Sequence, residues 1–341
     1  MKNHVLKKRM TALLSAAVLS AGILTGCDTE AVPAWMGCPI GAQFTYGVRC
    51  APMTALTPVV EEITGGIFLD NRDDVFEEDK ICVNNSAYQV PENLQSKLLD
   101  TMAEYSFETS FYVIDLETHA SIAYNPQHAF DSASTIKVAF ALYLAKEIEA
   151  GRCSLGDILT YEERHYATGS GSTQESVFGT QFTVKALFYR MIYNSDNVAY
   201  YMLAEYAGEE GFNEMVTSMG WEHTISKKDH WCDVTPQELA MIWQEIYDYK
   251  DTCAEGELLW TYLTTNLYNE FKEEMPEYES AHKSGWGYHG YHESGIVFGK
   301  RSYICVVMTG TGNKNNCLHR TIRNLDHVII DYDTWLTAQA Q

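Results

Sequence analysis

Two β-rich stretches near opposite ends of the chain, separated by a long helical block, constrain the fold more than any other feature. "TSFYVIDL" (109–116), the turn "ETH" and "ASIAYNP" (120–126) read as one strand pair. "ESGIVFG" and "SYICVVMTGTG", joined at the turn "KR", read as a second pair far downstream. β-branched and aromatic residues crowd these runs, and short turn-forming residues bound them. Between them the apolar spacing is helical. It predicts a helix from Thr135 to Ala150, stopped by Gly151, and further helical stretches over 183–207 and 236–249. A helix over 91–105, opened by Pro91 and carrying Leu94, Leu98, Leu99 and Met102, precedes the first strands, and a last helix covers about 318–338. This order predicts an α+β fold: an antiparallel sheet built from both ends of the chain, flanked by helices, with an inserted all-helical lobe.

The first 26 residues stand apart from that fold. Lys2, Lys7, Lys8 and Arg9 form a basic head, and "TALLSAAVLSAGIL" is an apolar run of signal-peptide length, too short to span a bilayer comfortably. It ends in "LTGC". That ending resembles the bacterial lipobox, which implies lipidation of Cys27 and an exported protein anchored to the bacterial cell membrane. A plain signal peptide followed by a cysteine is the simpler alternative. Residues 27–88, broken by Pro33, Pro39, Pro52 and Pro58 and acidic over "DNRDDVFEEDK", read as a tether, and 89–341 as the folded domain.

The net charge is −22, and loss of four basic residues with the leader makes the remainder near −26. Such a surface repels nucleic acid and excludes it as a partner class. Of nine cysteines, eight remain besides Cys27; an even number in an exported chain permits disulfides, with no pairing fixed by the sequence. No C-x-x-C occurs. His289 and His292 stand i, i+3, and His223, His230 and Cys232 cluster on a short loop, but no spacing fixes a third ligand, so no metal or other cofactor is expected.

The chemistry centres on "FDSASTIKVAF". Ser134 and Lys137 stand i, i+3 at a helix start and so share a face. Unpaired N–H groups and the positive dipole end favour charge developing there. Serine needs a base, an oxyanion hole and a substrate clamp. Lys137 serves as base only when neutral, which burial and a second nearby cation promote. Taken alone, Ser-x-x-Lys is a weak signal, and a serine N-cap with a lysine on a solvated face is the better reading of it.

Two further motifs follow in order: Ser195-Asp196-Asn197 within "YNSDNVAYYML", and Lys283-Ser284-Gly285 within "AHKSGWGYHG". The set, with "GSGS" (169–172) upstream of the second motif and "YHESGIVFG" after the third, resembles the class A β-lactamase-type serine hydrolases of the β-lactamase and penicillin-binding protein superfamily, over about residues 90–338. The resemblance implies Ser134 as acylated nucleophile and Lys137 as its base. Ser195 would pass a proton to the leaving nitrogen, with Lys283 tuning the electrostatics beside it. Asn197 would hold Lys137 and contact the substrate amide, while Asp196 would fix its own turn. Lys283 and Ser284 would bind the substrate carboxylate, helped by protonated His292. The backbone N–H groups of Ser134 and Trp286 would form the oxyanion hole, Gly285 lies in the third motif, and Trp286 either walls the groove or packs.

The chain departs from the resemblance at one point. Class A enzymes carry Glu-x-x-Leu-Asn on a long loop to activate the deacylating water. Here the corresponding gap, "MGWEHTISKKDHWCDV" (219–234), lacks the motif, and Glu222 is its only glutamate. The expectation is therefore a serine hydrolase acylated by β-lactams or related amides and deacylating slowly. A D-Ala-D-Ala peptidase-like cell-wall enzyme and a non-catalytic β-lactam sensor are the alternatives.

Overall fold

A computed structural model of the protein describes residues 71–341 apart from 313 and 315. Its strands are β1 (Ile81–Asn84), β2 (Thr109–Asp115), β3 (Ser121–Tyr124), β4 (Phe130–Asp131), β5 (Ile158–Thr160), β6 (Gln181–Thr183), β7 (Asp233–Val234), β8 (Glu279–His282), β9 (Gly285–Trp286), β10 (Tyr291–Phe298) and β11 (Ser302–Thr309). Its helices are α1 (Glu92–Ala103), α2 (Ile136–Glu149), α3 (Val184–Tyr193), α4 (Asn197–Ala207), α5 (Glu209–Ser218), α6 (Pro236–Tyr249), α7 (Ala254–Thr264), α8 (Glu270–Glu274) and α9 (Asn316–Gln339). The main sheet runs β1-β3-β2-β11-β10-β8, with β9 paired to β10. Every pairing is antiparallel. The central ladder couples Thr109–Asp115 to Thr309–Tyr303, so the two β-rich ends of the chain lie side by side as their patterns predict.

The central strands are apolar on both sides because helices cover both faces. Tyr112 and Ile114 of β2, with Ile304, Val306 and Met308 of β11, enter a core shared with α2, α3, α4 and α6. Phe111 and Val113, with Tyr303, Cys305 and Val307, enter a second core against α1 and α9. The chain ends are tied there by polar contacts too: Asn324 Nδ2 donates to Thr101 Oγ1 at 2.9 Å, and Tyr88 Oη to Asp331 Oδ2 at 2.6 Å.

Helix α2 positions the chemistry. Ile136 through Ala145 are all buried, so this helix is enclosed on every side, the arrangement of a central core helix. Helix α6 starts on a reciprocal cap, with Thr235 Oγ1 accepting from Glu238 N at 3.1 Å and Glu238 Oε2 accepting from Thr235 N at 2.7 Å, and Pro236 in its first turn.

Two expectations need correction, and the disulfides that the sequence left open find an answer among the described residues. The folded domain does not start at residue 89: β1 adds an edge strand to β3, and Tyr112 Oη donates to Asp74 Oδ2 at 2.6 Å. The stretch 183–207 is two helices, broken at Asn194–Asp196 where Ser195 takes a left-handed φ of 56°. No disulfide joins any two of the described cysteines Cys82, Cys153, Cys232, Cys253, Cys305 and Cys317. Cys27, Cys38, Cys50 and the leader expected over residues 1–26 lie outside the described residues. Among the described residues no helix is long and apolar enough to cross a membrane.

Candidate active site

Ser134 sits in a single 3-10 turn, Ala133–Thr135, that runs directly into α2. Ala133 takes a left-handed φ of 42°, a conformation an alanine adopts only when its surroundings impose it. One turn on, Lys137 is 0 % exposed. Its Nζ lies 2.5 Å from Ser195 O, 2.6 Å from Asn197 Oδ1, 3.1 Å from Ser134 Oγ and 3.2 Å from Ser195 Oγ. A neutral amine has two hydrogens and one lone pair. The two shortest contacts are to a carbonyl and an amide oxygen, which only accept, and they take both hydrogens. The lone pair is then left for a serine hydroxyl.

The electrostatics favour that neutral state. Burial pushes the Lys137 amine well below its ordinary range, and the Lys283 ammonium pushes it further, with Asp196 opposing. The faces of Trp231 and Tyr200 lie 5.3 and 5.9 Å from Nζ. Lys283 is also buried, which lowers it to about 8, with the nearby Glu293 opposing. Its Nζ donates to Ser195 Oγ at 3.0 Å and to Ser284 O at 2.8 Å. Ser195 Oγ is thus held between the two lysines.

The Ser-Asp-Asn turn is seated by its neighbours. Asp196 caps α4, accepting from Ala199 N at 2.9 Å, and its other oxygen accepts from Thr173 N at 2.9 Å and Thr173 Oγ1 at 2.7 Å. The Asn197 amide is committed as well: Oδ1 to Lys137 and Nδ2 donating to Thr168 O at 2.8 Å. Gly171, at a φ of 94°, has no room for a side chain, because a Cβ there would stand 2.2 Å from Asp196 Cγ. That explains the "GSGS" turn beside this motif. The third motif's glycine has the same role: a Cβ on Gly285 would stand 2.7 Å from Thr135 Cγ2 and 2.9 Å from Thr135 N. Only glycine lets β9 lie against the turn that carries Ser134.

Ser134, Ser195, Ser284 and Trp286 line one cleft together with Ser170, Tyr268, Glu270, Tyr291 and Lys314. Trp286 is 63 % exposed and walls that cleft, with Nε1 donating to Gly312 O at 2.9 Å. Ser284 Oγ lies 2.8 Å from Glu293 Oε2 and 2.9 Å from Tyr268 O. Glu293 is fully buried, and burial raises its carboxyl to about 8. A larger cavity, bounded by Arg164, Tyr201, Glu205, Glu209, Lys227 and His230, offers no serine or cysteine nucleophile.

His292 does not join the site. It is 0 % exposed on the far side of β10, with Nε2 2.8 Å from Asp131 O and Nδ1 accepting from Thr309 N at 3.2 Å. Both nitrogens are used by the backbone in the neutral form, and burial lowers the imidazole to about 4. It is neither charged nor available for a carboxylate. In its place the structure lines the cleft with Lys314, a residue that no motif singled out. It lies in the loop after β11, so its sequence context gives no sign of the cleft.

The short loop of 219–234 brings no carboxylate to Lys137. Glu222 is exposed, and its backbone N–H donates to Glu238 Oε1 at 2.9 Å. The charges acting on Lys137 are those of Lys283 and Asp196. The loop instead lays Trp231 over the amine. His289 is exposed, whereas His292 is buried with both ring nitrogens taken by the backbone.

Comparison with known proteins agrees with this arrangement. No curated protein matches the chain. Among solved structures, a variant of PBP-A described as an acyl-enzyme complex with penicillin G is similar at 20 % identity and a TM-score of 0.65, over 70 % of this chain and 97 % of that one. The β-lactamase of Sphaerobacter thermophilus DSM 20745 is similar at 17 % identity and 0.63, over 70 % and 96 %. A variant of the class A β-lactamase from the last common ancestor of Gram-negative bacteria is similar at 19 % identity and 0.61, over 69 % and 98 %. At such identities these likenesses establish the fold, which is that of the β-lactamases. The profile of the beta-lactamase enzyme family matches residues 93–332, and the chain is therefore a member of that family of serine hydrolases.

Proposed function

We propose that the protein is an exported serine hydrolase, acylated at Ser134 by β-lactams or related amides, whose acyl-enzyme is long-lived. The observation that carries the first half is the convergence of Lys137 and Lys283 on the hydroxyls of Ser134 and Ser195. Neutral Lys137 takes the Ser134 proton while Oγ attacks the substrate carbonyl carbon. The N–H groups of Ser134 and Trp286 hold the oxyanion. As the tetrahedral intermediate collapses, the C–N bond breaks and the nitrogen takes the Ser195 hydroxyl proton, which the Lys137 ammonium replaces. Lys137 ends neutral, and Ser134 carries an ester. Lys283, Ser284 and Lys314 supply the substrate carboxylate site.

The second half rests on the loop of 219–234. Hydrolysis of the ester needs a water and a base to take its proton, and an indole face covers Lys137 where a carboxylate would be needed. The PBP-A structure described with penicillin G as an acyl-enzyme supports penicillin as the probe. Export and anchoring through lipidated Cys27 belong to the same proposal and rest on the sequence alone: the basic head, the apolar run and the "LTGC" ending. The test is an intact-mass time course with penicillin G: a Ser134-dependent adduct that outlasts removal of free drug supports the reading, and drug loss without an adduct refutes slow deacylation.

A further inference from the structure

A second cluster of reactive side chains lies along the wall of the same cleft, where the short helix α8 meets the start of α9. Glu270 and Glu273 stand i, i+3 on α8 and therefore share a face. His319, one turn into α9, points between them. Its Nε2 lies 3.5 Å from Glu270 Oε2 and 3.8 Å from Glu273 Oε2, and the three atoms lie within 4.8 Å of one another.

Glu270 is 5 % exposed, and its Oε2 makes no well-formed hydrogen bond; the His319 imidazole at 3.5 Å and the Tyr291 hydroxyl are the polar groups beside this carboxyl. A buried carboxylate oxygen without a partner costs free energy that a bound cation removes. Lys314 does not meet this need, because it reaches the other oxygen, Oε1, at 3.4 Å. The spacing also fits. Two ligands about 2.1 Å from a tetrahedral zinc stand about 3.4 Å apart, so the observed 3.5 and 3.8 Å close with small side-chain movements.

The outer contacts match those of a metal-bound histidine. Such a ring presents its other nitrogen to a carboxylate, which fixes its orientation and raises its basicity. Here His319 Nδ1 stands 3.3 Å from Glu274 Oε1, within reach of a hydrogen bond after a small turn of the ring but without one as it stands, and Arg323 Nε holds Glu274 Oε2 at 2.7 Å. Tyr291 Oη, on the cleft side, is hydrogen-bonded to Nε2 at 3.2 Å, a bond that a metal on Nε2 would displace. Glu273 is mostly exposed, so water reaches the site and fills the remaining position.

We propose that His319, Glu270 and Glu273 bind a divalent transition metal, zinc by their ligand set, in the wall of the Ser134 cleft. One nitrogen and two carboxylate oxygens suit zinc better than the oxygen-only shells of calcium or magnesium. Metal binding here does not depend on the reaction at Ser134.

The test uses the chain without its leader, stripped with chelator and titrated with Zn2+ by calorimetry. One equivalent with a micromolar or tighter Kd is expected. Glu273→Gln changes an exposed side chain, so the fold survives it, and it should weaken binding at least tenfold. His319→Asn should weaken it by a hundredfold or more. Glu274→Gln, which removes the outer partner, should weaken it about tenfold. Absence of stoichiometric binding, or binding unchanged in both Glu273→Gln and His319→Asn, overturns the proposal.

Discussion

The two sides of Lys137 are built differently. On the Ser134 and Ser195 side, polar atoms from the first two motifs converge on one amine, and the backbone adopts left-handed conformations at Ala133 and Ser195 to place them. Gly171 and Gly285 give up side chains so that neighbouring segments can close in. On the loop side the amine meets the ring of Trp231 and no carboxylate. Strain and lost packing are tolerated where bond formation needs atoms within a few tenths of an ångström. The loop side shows no comparable investment. The comparison teaches that, under the proposed mechanism, acylation and deacylation draw on different segments and can be separated.

The sharpest way to break the comparison is on the first side. Ser134→Ala should abolish the penicillin adduct altogether in intact mass. Lys137→Ala should slow acylation by about a thousandfold, the usual scale for loss of a positioned base, measured as the second-order rate of adduct formation. Gly285→Ala forces β9 away from Thr135 and should slow the same rate by about a hundredfold. An unchanged rate would show that the contact does not set the cleft.

The pH dependence sharpens the account further. The neutral fraction of Lys137 grows with pH, so acylation should rise as pH passes its lowered pKa. Lys283 loses its charge near pH 8, where substrate carboxylate binding and the rate should fall. Stability has a separate acid limb. Buried His282 and His292, lowered to about 3 and 4, stay neutral in the folded state while the unfolded chain takes up protons below about 6.5. The unfolded state therefore binds more protons in that window, and stability falls on acidification by about 1.4 kcal/mol per pH unit for each histidine. Glu293, raised to about 8, acts in the opposite sense over this window, so the histidine contribution is the difference in the pH 7 to pH 5 change in denaturant melts between the protein and His292→Asn. The smallest effect expected is that of Glu222→Gln, which should leave the adduct lifetime unchanged within about twofold.

Much of this was legible in the sequence, for physical reasons. The central strands announce themselves through Val, Ile and Tyr runs, and α6 through Thr235, Pro236 and Glu238. The three motifs lie in the expected order because each is a short local turn. Other features were hidden. The edge strands "ICVN" and "ESAH" have little apolar surface to bury, so their patterns are weak. Helices α5 and α7 begin at Gly208 and Cys253, which are poor start signals. His292 was misread because adjacent strand residues face opposite ways. Tyr291 and Glu293 take the side of the cleft and α8, and His292 turns towards Asp131 and Phe130. Lys314 and the His319 cluster are assembled only by folding, since their partners lie on separate elements.

The most direct test of the central claim is the lifetime of the Ser134 adduct. The chain without its leader is loaded with penicillin G, freed of excess drug, and followed by intact mass over minutes to hours, beside Glu222→Gln. The account predicts an adduct that persists for hours and decays equally in both proteins. Loss of the adduct within seconds, slowed by Glu222→Gln, would contradict it by showing that the short loop supplies a working base.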